Sequence, residues 1–121
     1  AYAMTNYGVG ANGARILSKA SVELLRTNTL PTDSQMYRDF TSWMSNHEYG
    51  YGFGVRTKIG VGRGGNLTSI GEFGWDGAAG CYFSASPEDN IAVFIGRNTR
   101  PGENSIVPVL IMNSLYTDLL K

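Results

Sequence analysis

Residues 74–96 read Gly74-Trp75-Asp76-Gly77-Ala78-Ala79-Gly80-Cys81-Tyr82-Phe83-Ser84-Ala85-Ser86-Pro87-Glu88-Asp89-Asn90-Ile91-Ala92-Val93-Phe94-Ile95-Gly96. Cys81 to Ser86 reads as a strand. Pro87-Glu88-Asp89-Asn90 has turn chemistry, with Pro to preset one φ angle and Asp and Asn to bond the backbone locally. Ile91 to Gly96 is a short, wholly apolar run and reads as a strand of the buried type. Two strands joined by so short a turn must lie antiparallel.

Upstream, Tyr51, Phe53 and Val55 alternate with Gly52, Gly54 and Arg56, which predicts one strand over 49–56. Gly60 to Asn66 reads as a glycine-rich connection, and Leu67 to Phe73 as a short return strand. Before residue 49 the pattern is helical. Ala1 to Tyr7 reads as the end of a helix closed by Gly8. Asn12-Gly13 is a turn dipeptide. Ser18 is suited to cap a helix from Lys19 to about Asn28. Met36, Phe40, Trp43 and Met44 have helical spacing within 32–46. Downstream, Pro101-Gly102 ends the strand region. Ser105 to Leu120 then reads as a last helix with a broad apolar face (Ile106, Val109, Leu110, Met112, Leu115, Tyr116, Leu119), Pro108 being tolerated in its first turn. The expected fold is α+β: helices, then an antiparallel meander, then a C-terminal helix laid on one face of the sheet.

Composition narrows the function classes. The chain has 121 residues, enough for a single domain, with 42% apolar residues and no net charge at pH 7. No basic field is available to attract nucleic acid or an anionic membrane. Arg56, Lys58 and Arg63 are interleaved with glycine and aliphatic residues and read as a solvated hairpin. Cys81 is the only cysteine and His47 the only histidine, so an internal disulfide is excluded and a metal site has no spacing to support it. Cys81 reads as a small buried hydrophobe. No run is long enough to span a bilayer. Tyr49, Tyr51 and Phe53 read as sheet packing, and Arg97 and Arg100 as a solvated loop.

Several segments, in order, resemble the penicillin-binding and β-lactamase-like serine hydrolases. Asn12-Gly13-Ala14-Arg15-Ile16-Leu17-Ser18 resembles their turn into a helix. Tyr49-Gly50-Tyr51-Gly52-Phe53-Gly54-Val55 resembles their Tyr-Gly-Leu-Gly-Trp strand. Gly74 to Phe83 resembles the segment that corresponds to the Lys-Thr-Gly motif of class C β-lactamases. Pro87 to Ile95 resembles the turn and strand that follow, and Asn98-Thr99-Arg100-Pro101 the stretch before the last helix.

The resemblance implies that 1–121 is the C-terminal part of a β-lactamase/transpeptidase-like fold, from a bacterial source and with the compartment left open. It also implies a gap. No Ser stands three residues before Lys19, Lys58 or Lys121, and no Tyr is followed two residues later by Asn. The family's Ser-x-x-Lys and Tyr-x-Asn motifs are therefore expected N-terminal to this stretch. The polypeptide alone is expected to be inactive, needing no cofactor. Its partners would be a small acyl substrate in the complete enzyme, and either the missing N-terminal half or a second copy, because without the family's N-terminal strands a strand edge and one face of the sheet are left uncovered.

Carried onto this chain, the resemblance makes the backbone N–H of Ala78 one donor of an oxyanion hole. Trp75, Asp76 and Gly77 become the substrate edge, Gly77 letting backbone approach the ligand. Trp75 stands where β-lactamases have Lys or His, and Asp76 where they have Thr, Ser or Gly. A carboxylate substrate would be repelled by an ionised Asp76 at about 4 Å by roughly 1–4 kcal/mol. That favours carboxylester over β-lactam chemistry. Plainer roles compete: Trp75 as a rim aromatic over the sheet edge, and Asp76 bonded to donors in its own turn. The rival functions are a non-catalytic binding or interaction domain of the same fold, or part of a β-lactamase or D-Ala-D-Ala peptidase.

Overall fold

A computed structural model describes residues 1–43, 48–61, 65–100 and 106–119. Three helices come first: α1 (Tyr2–Thr5), α2 (Lys19–Arg26) and α3 (Gln35–Trp43). Five strands follow: β1 (Tyr49–Tyr51), β2 (Arg56–Lys58), β3 (Phe73–Asp76), β4 (Tyr82–Ser86) and β5 (Ile91–Ile95). The last element is α4 (Val107–Leu119). The strands form one antiparallel sheet in chain order. The α+β arrangement is thus the one expected. Ser18 caps α2, its hydroxyl accepting from the Ser21 N–H at 3.0 Å.

Register assigns the two faces. Thr57, Phe73, Ala85 and Ala92 lie in one row across the sheet. On that face Phe73 and Ala85 pack with Val22 of α2, joined by Met4, Tyr7, Leu17 and Leu25. One residue along, Arg56, Gly74, Ser84 and Val93 make a row on the opposite face. There Met112 and Tyr116 of α4 pack with Tyr82, Ile91, Val93 and Ile95. Both faces therefore carry helices, and the expectation of one uncovered face is corrected. What stays open is an edge.

Four readings shift. The single strand expected over 49–56 is a hairpin. The Gly52 N–H bonds the Val55 carbonyl at 2.8 Å, and the Phe53 N–H is drawn to the Leu25 carbonyl at the end of α2 at 2.9 Å. That tertiary bond takes Phe53 out of the sheet. The return strand expected over 67–73 shares only Phe73 with β3, which runs on to Asp76, because the Lys58 ammonium pulls the Asn66 and Thr68 carbonyls inward, each at 2.6 Å. β5 is the outer strand, and its Phe94 is 67% exposed, so it is not a fully buried strand. On α4 only Pro108, Met112 and Tyr116 are buried, while Leu110, Ile111 and Leu119 are exposed, so its covered face is narrower than expected. Residues 44–47 (including His47), 62–64 (including Arg63), 101, 102, 105 and 120, on which earlier expectations fall, lie outside the described residues.

Candidate functional site

The expected site residues come together at the end of β3. Trp75 and Asp76 close the strand, opposite Phe83 and Tyr82 of β4. The chain then reverses through Gly77-Ala78-Ala79-Gly80-Cys81. The Gly80 N–H bonds the Gly77 carbonyl at 2.8 Å, and the Gly77 N–H bonds the Cys81 carbonyl at 2.7 Å. Ala78 and Ala79 are not among the positive-φ residues, whereas Gly80 has φ 88°. This is a type I turn closed by a left-handed glycine, a standard short hairpin connection. A side chain at Gly80 would also meet the Thr99 hydroxyl at 2.4 Å. Thr99 holds the loop from outside, its N–H donating to the Ala79 carbonyl at 2.9 Å.

The Ala78 N–H takes part in none of these bonds, and among the described residues it has no acceptor. Ala78 is exposed. An N–H at the second residue of a pinned turn is a fixed donor open to an incoming acceptor. Gly77 has a plainer reason for lacking a side chain than substrate approach: a Cβ there would come within 3.2 Å of the Cys81 Cβ. Cys81 itself is half-buried and donates its thiol to the Arg97 carbonyl at 3.2 Å, so it is more than an inert hydrophobe.

Trp75 meets Tyr51 edge-on at 5.4 Å between ring centroids, and Tyr51 meets Phe40 of α3 at 5.5 Å. Three aromatic rings from α3, β1 and β3 thus form a continuous wall beside the hairpin, each of the two ring pairs worth about 0.5–1.5 kcal/mol beyond the area it buries.

Asp76 does not bond donors in its own turn. Its Oδ1 accepts from Arg56 Nη1 at 2.9 Å, with the carboxylate side chain 46% exposed and the guanidinium side chain 2% exposed. Arg56 and Lys58 are therefore interior residues, and their reading as a solvated hairpin is corrected. Nη2 of Arg56 bonds Glu72 Oε1 at 3.2 Å and the Phe83 carbonyl at 3.3 Å. The guanidinium also lies 4.5 Å from the Tyr82 ring centroid. Gly74, opposite Arg56, is a required glycine: a Cβ there would sit 1.9 Å from the Phe83 carbonyl oxygen.

Glu72, fully buried, gathers the rest of the network. It accepts from Tyr49 Oη at 2.7 Å and from Ser84 Oγ at 2.5 Å. Asn66 Nδ2 donates to the Tyr49 oxygen at 2.8 Å. Lys58 lies 3.9 Å from Glu48, both buried.

Burial works against the charge on Arg56, but Glu72 foremost outweighs it and holds the guanidinium firmly protonated. Burial pushes the Asp76 carboxyl above its ordinary value, with Arg56 opposing. Burial, with Glu72 next, pushes the Tyr82 hydroxyl up to about 12 and the Tyr49 hydroxyl higher still. Lys58 is lowered, chiefly by burial, against the pull of Glu48.

One guanidinium thus serves two carboxylates, Glu72 and Asp76. Asp76 is not a lone repulsive charge at the site. The cluster as a whole carries a formal excess of one negative charge beside the hairpin. Sequence reading missed this network because charges at strand positions look solvated until the neighbouring strands bring Glu72, Asp76 and the Phe83 carbonyl to Arg56. The available signal was Glu72 immediately before the apolar Phe73-Gly74-Trp75.

Among the described residues, no group of three or more His, Cys, Asp or Glu is placed to hold a metal ion. No described helix is long and apolar enough to cross a membrane. The chain matches no protein-family model. No curated protein is significantly similar to it.

Proposed function

We propose that this chain is the substrate-side half of a serine hydrolase of the penicillin-binding and β-lactamase-like class. It supplies β3 as the substrate-bearing strand and the Ala78 N–H as one oxyanion donor. The nucleophile and its base come from sequence N-terminal to Ala1. The nucleophilic Ser oxygen attacks the acyl carbonyl carbon, the alcohol leaves, and water then releases the acyl group. Negative charge develops on the carbonyl oxygen at both steps, and a fixed N–H there lowers both barriers.

The observation that carries this reading is the Ala78 N–H, exposed and without an acceptor among the described residues, on a turn pinned from both sides. The substrate preference rests on the aromatic wall of Trp75, Tyr51 and Phe40 and on the excess carboxylate around Arg56. Both suit an uncharged ester better than a β-lactam carboxylate.

Ala78→Pro is the decisive variant. Pro is favoured at the second position of a type I turn, so the hairpin is retained while its N–H is deleted. In the chain extended to include Ser-x-x-Lys, kcat for p-nitrophenyl esters should fall by about 10²–10³-fold. Full activity in that variant would remove Ala78 from the mechanism. The 121-residue chain alone should hydrolyse neither p-nitrophenyl esters nor nitrocefin. Turnover by it that a serine-directed inhibitor abolishes would place the nucleophile inside these residues.

A further inference from the structure

Asn12-Gly13 is the one Asn-Gly pair in the chain. It lies at the tip of a small hairpin that is separate from the sheet and closed by an isolated antiparallel bridge between Val9 and Arg15. Within it the Gly10 N–H bonds the Ala14 carbonyl at 2.8 Å, and the Gly13 N–H bonds the Gly10 carbonyl at 2.9 Å. Asn12 Oδ1 accepts from the Ala14 N–H at 3.1 Å, while its Nδ2 has no bond among the described residues. We propose that Asn12 is a site of spontaneous covalent modification, deamidated within the folded chain to aspartate and isoaspartate.

The reacting groups are adjacent in the chain. The Gly13 backbone nitrogen attacks Asn12 Cγ and gives its proton to water. Nδ2 leaves as ammonia, and a five-membered imide closes. Water then adds to one of the two imide carbonyls. Opening at Cγ gives aspartate; opening at the Asn12 backbone carbonyl gives isoaspartate, with the chain running through Cβ and Cγ. One water is consumed and one ammonia released, with no change of oxidation state. The hairpin favours this chemistry in three ways. Glycine leaves the attacking nitrogen uncrowded. The Ala14 N–H already donates to the oxygen on which negative charge develops. The Gly13 N–H must first leave the Gly10 carbonyl, but residues 11–16 are all exposed, so this opening takes no apolar side chain out of a packed position. The other described asparagines each precede a residue that bears a side chain. Asn28, Asn66 and Asn113 are also fastened through both ends of the amide. Arg15 keeps the change local. Its guanidinium ties the hairpin base to the Tyr7 and Leu17 carbonyls at 3.0 and 2.9 Å. The product adds one negative charge to a chain whose formal net charge is zero.

The test is incubation of the 121-residue chain at neutral and mildly alkaline pH, followed by isoelectric focusing and mass spectrometry of the tryptic peptide 1–15. An acidic form should accumulate, faster at the higher pH, with the amide-to-acid mass gain at Asn12 before any other asparagine. Its circular dichroism should match that of the starting chain. Gly13→Ala should slow the reaction at least about tenfold by crowding the attacking nitrogen. Ala is strained at φ 80° and loosens the turn, which alone would speed the reaction, so slowing reports the attack itself. Asn12→Gln keeps Gly13 and should slow it comparably, because a six-membered ring must close. Urea well below the unfolding midpoint should leave the rate unchanged, since only the hairpin opens. Absence of the acidic form, another asparagine reacting first, either variant reacting at the wild-type rate, or a rate that rises in step with global unfolding would each overturn the proposal.

Discussion

Arg56 shows how one residue links stability to the candidate site. Its fork holds Glu72, wholly buried, and Asp76, at the mouth of the hairpin. Arg56→Met leaves two carboxylates without their cation and should cost about 3–5 kcal/mol in urea denaturation. Adding Glu72→Leu should recover part of that loss, because the uncompensated charge goes with it. A second variant separates charge from hydrogen bonding: Tyr49→Phe removes the donor to Glu72 and the acceptor for Asn66, at about 1–3 kcal/mol. The tyrosines give an optical readout. Burial is the largest cause raising Tyr49, Tyr82 and Tyr116, three of the seven tyrosines. Each stays protonated in the folded chain above the pH at which it ionises unfolded. Their contribution to stability is whole below about pH 10 and declines as pH rises. Absorbance at 295 nm should therefore show a steep step that coincides with loss of circular dichroism. Smooth ionisation of all seven tyrosines in the folded state would contradict the buried network.

At the scale of elements, the clasp between α4 and the β4–β5 turn is Asp89. It accepts from Ser69 Oγ at 2.7 Å, Ser86 Oγ at 2.6 Å and Tyr116 Oη at 2.7 Å. Burial pushes this carboxyl up, but the three hydroxyls outweigh it and hold it below its ordinary value. The sign follows from a lowered folded pKa. The stabilisation is complete above about pH 4 and disappears as pH falls through the lower folded value. Asp89→Asn should cost about 1–3 kcal/mol at neutral pH, a difference that narrows in acid. Urea midpoints measured from pH 7 to 2 check this. A gap that stays constant in acid would mean that the carboxylate is not what fastens α4.

For the whole molecule, legibility followed the range of the interactions involved. Ser18 as a helix cap, Pro87–Asn90 as a turn, the strands at 82–86 and 91–95 and the last helix were all readable, because each is decided by residues adjacent in sequence. The α+β order follows from them. Trp75 to Ala78 were singled out by resemblance alone; the strand read from pattern ended at Phe73, so their place at the end of β3 was not legible. Nor were their partners. That Asp76 is held by Arg56, and Trp75 joined to Tyr51 and Phe40, depends on which strands become neighbours. The hairpin at 52–55 was hidden for the same reason: alternation predicts a continuous strand until the Leu25 carbonyl claims the Phe53 N–H. The sequence by itself determined the cap of α2, the turn at 87–90, the two strands it joins and the last helix. Only the tertiary structure decided that Arg56, Lys58 and Glu72 are interior and that β5 is an edge. Local pattern records propensity, whereas the burial of a charge is settled by the opposite charges and carbonyls brought to it from distant parts of the chain.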